Sequence, residues 1–199
     1  MEKLEFHEVV EQICKVAKVR YGSKTIKDLK GNYKNLYTLF NSEDLSLVKN
    51  QKLKEVISMV KRFAILYEQT KIQDMEKISS SGEVVNFLRV SIGNNRDEEF
   101  IVIFLNSMNK ILAIESMSKG IVNRSAVYPR KVAELGLKYN AVSVILAHNH
   151  PSGTNKPSEN DIKATDIVIK ALKVLDMNVL DHIIIAHNNY YSFKDNGLI

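Results

Sequence analysis

Hydrophobic residues follow two different periods along the chain, and the change falls near residue 80. Before it, apolar residues recur every three or four positions, most clearly over residues 53–67, which predicts amphipathic helices. After it, short apolar runs alternate with helical stretches, which favours an α/β fold with a sheet flanked by helices. We predict strands near 99–105, 110–118, 142–148, 179–186 and 190–193, and helices near 83–91, 129–139 and 159–176.

The serine run at residues 79–81 marks the change of period. It is either a short linker or, because Glu83 stands three positions after Ser80, the cap of the following helix. We therefore predict two domains. Residues 1–78 form a small all-helical domain, and residues 79–199 form an α/β domain with a mixed sheet.

Candidate metal-binding residues are concentrated just after the apolar run 142–147, and this run predicts a buried strand. His148 and His150 end this strand, and alternate residues of an extended chain point the same way, so both imidazoles project together while Asn149 turns aside. Asp161 follows His150 by eleven positions, in the first turn of the helix 159–176. Two imidazoles and one carboxylate form the ligand set of a catalytic zinc that keeps its fourth position open.

Three alternatives remain for these residues. Ser158 and Asp161 have the spacing of a helix cap, although capping does not explain two histidines at a strand end. The same ligand set would also suit Fe(II) or Mn(II). His182 lies in another predicted strand, where a packed histidine bonded to Asp181 is favoured over a place near the site.

Other metal and nucleotide chemistries lack their residues. Zinc deaminases need a Pro-Cys-x-x-Cys pair, and Cys14 is the chain's one cysteine. A His-Glu-x-x-His helix, a phosphate-binding loop of the Gly-x-x-x-x-Gly-Lys type and a dinucleotide fingerprint are also absent from the sequence. Deamination, thermolysin-like, ATP-driven and hydride-transfer readings therefore have no support.

The six residues from His148 to Gly153, with Ser158 and Asp161 at their spacing, resemble the JAMM motif of JAB/MPN-domain metalloproteases. The string His-Asn-His-Pro-Ser-Gly is similar to the bacterial branch of that group, the RadC family. The segments 98–106 and 180–184 also resemble this branch. The resemblance covers about residues 80–199 and implies a JAB/MPN-like fold, with a layout like that of cytidine deaminases.

The resemblance also implies roles for particular residues. One zinc per chain would be bound by His148, His150 and Asp161, and a glutamate upstream of the histidines would act as general base. Alignment on the strand 100–105 places that glutamate at Glu98, with neighbouring Glu99 as the alternative and Glu115 as a weaker one. Ser158 would donate a hydrogen bond to the oxyanion. The implied activity is that of a metallopeptidase or isopeptidase acting on a protein or peptide substrate.

The helical segment carries most of the positive charge. Residues 1–80 contain fifteen Lys and Arg against eleven Asp and Glu, whereas residues 81–199 contain thirteen against twelve. Residues 36–47 and 53–67 resemble the two flanking parts of a helix-hairpin-helix module, but residues 48–52 lack the glycine of its phosphate-binding turn. DNA binding is thus one prediction for this segment, and a packing or partner-binding role is the other.

Two further functions stay open beside the zinc hydrolase. One is a DNA-associated protein of the repair or recombination type, whose α/β domain acts on nucleic acid or serves as a binding module. The other is a binding module with a vestigial site, which the intact motif disfavours.

The sequence favours a cytoplasmic protein without membrane partners. It contains no apolar run near the roughly 18 residues of a membrane span. Three of its first five residues are charged and no apolar signal core follows, unlike a secretory signal. A single cysteine permits no internal disulfide, in keeping with a reducing compartment.

Overall fold

The computed structural model describes residues 6–20, 22–33, 39–40, 45–74, 77–78, 80–93, 95–119 and 129–199. The chain divides into two compact units, Met1–Tyr67 and Glu68–Ile199. The division falls inside a long helix, whereas the sequence predicts a domain boundary after residue 78. Each unit has its own core.

The first unit contains helices α1 (Phe6–Val16) and α2 (Ser23–Asn32) and most of helix α3 (Gln51–Gln73). The side chain of Asn50 caps α3 by accepting a hydrogen bond from the backbone N–H of Leu53. The helices pack around buried apolar side chains that include Val10, Ile13, Cys14, Leu29, Tyr33, Leu53 and Ile57.

The apolar stripe predicted along α3 is buried only in its first half. Leu53 and Ile57 belong to the core, whereas Phe63, Leu66 and Tyr67 are exposed. The spacing of apolar residues thus predicted the helix correctly, but it did not predict how much of the apolar stripe is buried. Lys49, in the segment that replaces the glycine hairpin, is also exposed. Parts of the predicted helix-hairpin-helix match lie outside the described residues, and DNA binding remains a prediction.

The second unit is built on a five-stranded sheet. The strands are β1 (Glu99–Leu105), β2 (Ile111–Lys119), β3 (Ser143–Asn149), β4 (Asn178–Ala186) and β5 (Asn189–Ser192). Their order is β2-β1-β3-β4-β5, with β3 and β4 parallel and the other neighbours antiparallel. The helices are α4 (Ser81–Ser91), α5 (Pro129–Lys138) and α6 (Glu159–Lys173).

The helices cover both faces of this sheet. Asp181 and His182 are consecutive in β4 and therefore point to opposite faces. Asp181 accepts a hydrogen bond from Ser81 of α4, and His182 contacts Thr165 of α6, so these two helices lie on opposite sides. Apolar residues of α5, α6 and the sheet form one core, which includes Val102, Phe104, Val132, Val144, Leu146, Val168 and Leu172.

One glycine permits close packing of α5. A Cβ atom added at Gly136 would meet the sulfur of Met177 at 2.5 Å and the ring of Phe104 at 3.8 Å. A larger residue here would push the helix away from the core, because protein interiors leave few voids.

The predicted fold class is confirmed: a mixed sheet flanked by helices follows a helical N-terminal region. Two helix ends differ from the prediction by two or more residues. Helix α6 ends at Lys173, three residues early, because Asp176 adopts a left-handed backbone (φ 53°) that closes the helix. Helix α4 begins at Ser81, and Ser80 is its N-cap residue without a side-chain capping bond.

Among the described residues, no helix combines the length and apolar character that crossing a membrane requires.

Candidate metal centre

The end of β3 and the loop after it hold the two histidines in place. The backbone N–H of His150 donates to the carbonyl of Ile185 at 2.8 Å, and the N–H of Gly153 returns to the carbonyl of His150 at 3.0 Å. Gly153 has a φ of +81°, and a Cβ there would lie 3.0 Å from the His187 ring. The turn therefore requires glycine at this position.

Four side chains converge at this end of the sheet. One ligand atom from each of Glu98, His148, His150 and Asp161 lies within 4.8 Å of all the others. The Nε2 atoms of the two histidines are 2.9 Å apart. Asp161 Oδ1 lies 3.5 Å from His148 Nε2, and Asp161 Oδ2 lies 3.4 Å from His150 Nε2. The structure thus brings the three predicted ligands and Glu98 together.

Glu98, the residue immediately before β1, completes this group. Its Oε1 atom is 3.7 Å from His148 Nε2 and 3.9 Å from His150 Nε2. Its side chain is 36% exposed, against 4% for His148, so it lies on the solvent side of the cluster. A carboxylate in this position can exchange protons with water and still reach the ligand atoms.

Glu99 points elsewhere. Its carboxylate accepts hydrogen bonds from the Asn95 amide at 2.7 Å and from the Ser116 hydroxyl at 2.6 Å. Glu115 accepts a hydrogen bond from the Tyr139 hydroxyl and is not part of the four-residue group. Of the three glutamates that the sequence leaves as candidates, the geometry places Glu98 at the cluster.

The donor atoms fit a divalent cation. The Nδ1–H of His150 donates to the carbonyl of Thr154 at 2.6 Å, which leaves the lone pair of Nε2 facing the cluster. His148 Nε2 and carboxylate oxygens of Asp161 and Glu98 point at the same space. Imidazole nitrogen and carboxylate oxygen are ligands that zinc accepts and that Fe(II) and Mn(II) also tolerate.

The protonation equilibria of the cluster follow from burial and from Asp161. Burial lowers the pKa of His148 to about 4, partly offset by the Asp161 charge. For His150 burial also lowers the pKa, but the hydrogen bonds to Asp161 and Thr154 and the nearby carboxylate charges outweigh it and raise the pKa. Burial acts to raise the pKa of Asp161, but hydrogen bonds from His150 and Ser158 and the charge of His148 lower it overall. Asp161 is thus an anion, and a proton in the cluster prefers His150.

The different pKa values of His148 and His150 predict how zinc affinity depends on pH. A metal needs unprotonated imidazoles. Between pH 5 and 6 His150 is below its raised pKa and carries a proton, whereas His148, with a pKa of about 4, does not. Zinc therefore displaces one proton, and its apparent Kd should rise roughly tenfold per unit of falling pH. Calorimetry in two buffers of different ionisation enthalpy counts the released protons. Release of two protons, or of none, in this range would contradict the assignment.

Asn149 holds the segment that carries Glu98. Its side chain is fully buried on the sheet face opposite the histidines, as alternation predicts. The amide accepts a hydrogen bond from the N–H of Glu99 at 2.7 Å and donates to the carbonyls of Asn95 and Asp97 at 3.2 and 3.1 Å. These bonds lie on both sides of Glu98 in the sequence. The Asn149 side chain therefore holds the backbone of the segment that leads into β1.

Removing this amide should destabilise the protein. Asn149→Ala leaves three backbone groups without their partner, and we expect the free energy of unfolding to fall by ~2 kcal/mol or more. The matched control is Asn155→Ala, which removes one exposed bond to the Tyr190 carbonyl and should cost less than about 0.5 kcal/mol. Urea titrations measure both. Equal stability of the two variants would show that the Asn149 bonds do not hold the segment.

Ser158 forms a capping box with Asp161. Its hydroxyl accepts from the Asp161 N–H at 3.2 Å, and the Asp161 carboxylate accepts from the Ser158 N–H at 2.6 Å. The predicted cap therefore forms, and Asp161 takes part in both the cap and the cluster. The hydroxyl also lies 2.7 Å from Asp161 Oδ2, so Ser158 contacts a carboxylate of the cluster. Its predicted role as an oxyanion donor stays a prediction.

His182 is buried, as the favoured sequence interpretation has it, but its ring contacts His148 of the cluster and not Asp181. Its ring does not bond the Asp181 carboxylate, which accepts from the His182 backbone N–H instead. The ring Nε2 lies 2.8 Å from His148 Nδ1, and Nδ1 lies 2.6 Å from the Thr165 hydroxyl. The predicted bond between the His182 ring and Asp181 does not form because the two side chains face opposite sides of β4. Thr165 lies within the predicted helix 159–176, and nothing local in the sequence marks its contact with His182.

Fold and site together define a JAB-type α/β domain with a candidate metal-binding group at the end of a central strand. Residues 78–198 match the family model described as RadC-like JAB domain. The chain therefore belongs to the RadC-like JAB domain family, as its motif predicts. This family fits a metal-dependent hydrolase as the general kind of protein.

Several relatives carry the name UPF0758 protein. The one named UPF0758 protein FN0909, from Fusobacterium nucleatum, is 35% identical over 206 residues, covering 97% of this chain and 88% of the relative. One from Chromobacterium violaceum is 39% identical over 132 residues, covering 66% and 58%. One from Nitrosospira multiformis is 40% identical over 147 residues, covering 74% and 64%. The matched part of the chain thus spans about six tenths of the length of the last two.

Proposed function

We propose that this protein is a zinc-dependent hydrolase that cleaves an amide or isopeptide bond in a protein or peptide. The observation that carries the proposal is the position of Glu98. Its carboxylate lies within 4 Å of both imidazole Nε2 atoms of a His₂Asp ligand set and is exposed to solvent on its other side. A binding site alone needs no such base, whereas hydrolysis does.

The metal is assigned to three residues of this chain. His148, His150 and Asp161 would hold one zinc per chain and leave a position open, which is the arrangement of catalytic rather than structural zinc. When bound, zinc supplies Lewis-acid chemistry, which activates water and polarises a carbonyl oxygen. The low pKa of His148 and the anionic Asp161 keep both ligands in their binding forms near pH 7.

The remaining steps belong to Glu98 and Ser158. Glu98 accepts a proton from the attacking water at a carboxylate oxygen and later delivers it to the leaving amine. Ser158, at the start of α6, keeps the Asp161 carboxylate oriented through two hydrogen bonds. Ser158 is exposed, and its hydroxyl proton, which Asp161 Oδ2 accepts in this structure, would be donated to a substrate oxyanion in exchange for that bond.

A substrate screen tests this function directly. Protein loaded with zinc is incubated with a mixture of peptides and of lysine-linked isopeptides, and new amine termini are detected by mass spectrometry. We expect cleavage that disappears after chelation and returns when zinc is restored. Cleavage that persists unchanged in the chelated protein would contradict a metal-dependent hydrolase.

A further inference from the structure

A line of buried hydrogen bonds connects helix α6 to the metal centre along one face of the sheet. The Thr165 hydroxyl lies 2.6 Å from the carbonyl of Asp161 and 2.6 Å from His182 Nδ1. His182 Nε2 in turn lies 2.8 Å from His148 Nδ1. Thr165, His182 and His148 are each no more than 3% exposed. The line thus begins at the backbone of one proposed ligand and ends on the ring of another.

The directions of these bonds are fixed by one carbonyl. The oxygen of Asp161 can only accept, so Thr165 donates its single hydroxyl proton there. Thr165 must then accept from the Nδ1–H of His182, which leaves His182 Nε2 as an acceptor. His148 therefore donates through Nδ1–H, and the lone pair of its Nε2 faces the cluster. Each neutral ring has one proton, so no other order satisfies all three contacts.

The surroundings of His182 reinforce this order. Its ring packs against Phe193, with centroids 4.7 Å apart, and meets Phe100 edge-on at 5.7 Å. Such aromatic walls offer no strong hydrogen-bond acceptor that could replace Thr165. If the ring loses its partner at Nδ1, the hydrogen bond to His148 is the one of the two described here that remains.

We propose that Thr165 and His182 are positioning residues that hold His148 in the tautomer a metal can bind. The proposal rests on the proposed function, because it assigns a purpose to the same metal centre. Metal-bound histidines generally donate their second N–H to an acceptor, and here that acceptor is another imidazole whose own tautomer a threonine sets. The Thr165 hydroxyl also holds the backbone of Asp161, so two ligands share one support.

Removing the Thr165 hydroxyl should reverse the direction of the hydrogen bond between His182 and His148. In Thr165→Val the shape of the side chain is kept, but His182 Nδ1 faces a methyl group. The His182 proton then moves to Nε2 and is donated to His148 Nδ1, which places the His148 proton on Nε2, where the metal must bind. We expect zinc affinity to fall by roughly 10–100-fold, the usual cost of losing an outer-shell partner.

Thr165→Ser is the matched control. It keeps the hydroxyl but loses a buried methyl group, so it should lower thermal stability while leaving zinc affinity close to that of the wild type. A purely structural role for Thr165 would make zinc affinity fall in both variants, in step with their loss of thermal stability. The proposal predicts that zinc affinity falls in Thr165→Val and not in Thr165→Ser.

The experiment combines zinc affinity with a direct view of the tautomer. Competition with a chromophoric chelator gives the zinc Kd of the wild type and both variants. Nitrogen-15 NMR of the metal-free full chain near pH 7.5 reports which nitrogen of His148 carries the proton. We expect Nδ1–H in the wild type and in Thr165→Ser, and a shift towards Nε2–H in Thr165→Val.

The outcomes separate this inference from the proposed function. Wild-type protein that does not bind zinc would contradict the proposed function. The position of the His148 proton in that protein would still test whether Thr165 and His182 set the tautomer. A wild-type His148 protonated at Nε2 would overturn this inference even if Thr165→Val failed to fold. Equal zinc affinity in the wild type and a folded Thr165→Val would overturn it as well.

Discussion

His148→Ala is expected to lose zinc binding almost completely. The substitution removes one of three proposed ligands from a buried position, and it also removes the contact between His148 and the His182 ring. The fall in affinity should exceed the 10–100-fold that loss of an outer-shell partner costs. Zinc titration in competition with a chelator measures it.

An exposed histidine provides the control for this variant. His7 lies in α1 of the first unit, and His7→Ala makes the same chemical change at a residue that is not one of the four in the cluster. It should bind zinc like the wild type. Because His148 is buried, folding of the variant is verified by circular dichroism, and Asp161→Asn, at a more exposed ligand, is measured beside it. Folded His148→Ala with wild-type affinity would contradict the assignment of the ligands.

Glu98→Gln should retain zinc and lose turnover. Glutamine has the size of glutamate but cannot accept the proton, so kcat should fall by about 10²–10⁴-fold, the usual contribution of a general base. Zinc affinity should change much less, since the proposed ligands His148, His150 and Asp161 remain. The measurements are kcat on a substrate found in the screen and zinc content of the same sample.

The neighbouring glutamate is the matched control. Glu99→Gln makes the same substitution one residue along, at a side chain bonded to Asn95 and Ser116 rather than directed at the cluster. It should keep most of the activity. An inactive Glu99→Gln beside an active Glu98→Gln would reverse the assignment of the base.

The sequence predicts the histidine and aspartate positions well because their placement is local. Alternation along β3 puts His148 and His150 on one side, and the first turn of α6 follows them after a short loop, so Asp161 has little choice of position. The strands were also predicted closely, since buried β-branched runs have a clear period.

Contacts between strands distant in the sequence were the parts that could not be predicted. Asn149 was predicted to turn aside, but its hold on the Glu98 segment depends on β1 lying beside β3, with Phe100 opposite His148. His182 reaches His148 because β4 is the other neighbour of β3. Neither adjacency can be read from the period of one strand, and Glu98 was identified only through the resemblance to a family.

Helix α3 shows a related limit. Its stripe predicts a helix, yet Phe63 and Tyr67 stack on each other while remaining exposed, with ring centroids 6.3 Å apart. Periodicity identifies an apolar face but does not identify what covers it.

Metal content is the most direct test of the central claim that this cluster is a zinc site. The full chain is purified without chelators or added metal and analysed by elemental mass spectrometry, with His148→Ala in parallel. We predict about one zinc per wild-type chain, as a three-ligand catalytic site requires, and almost none in the variant. Wild-type protein that is metal-free and does not take up added zinc would contradict the account.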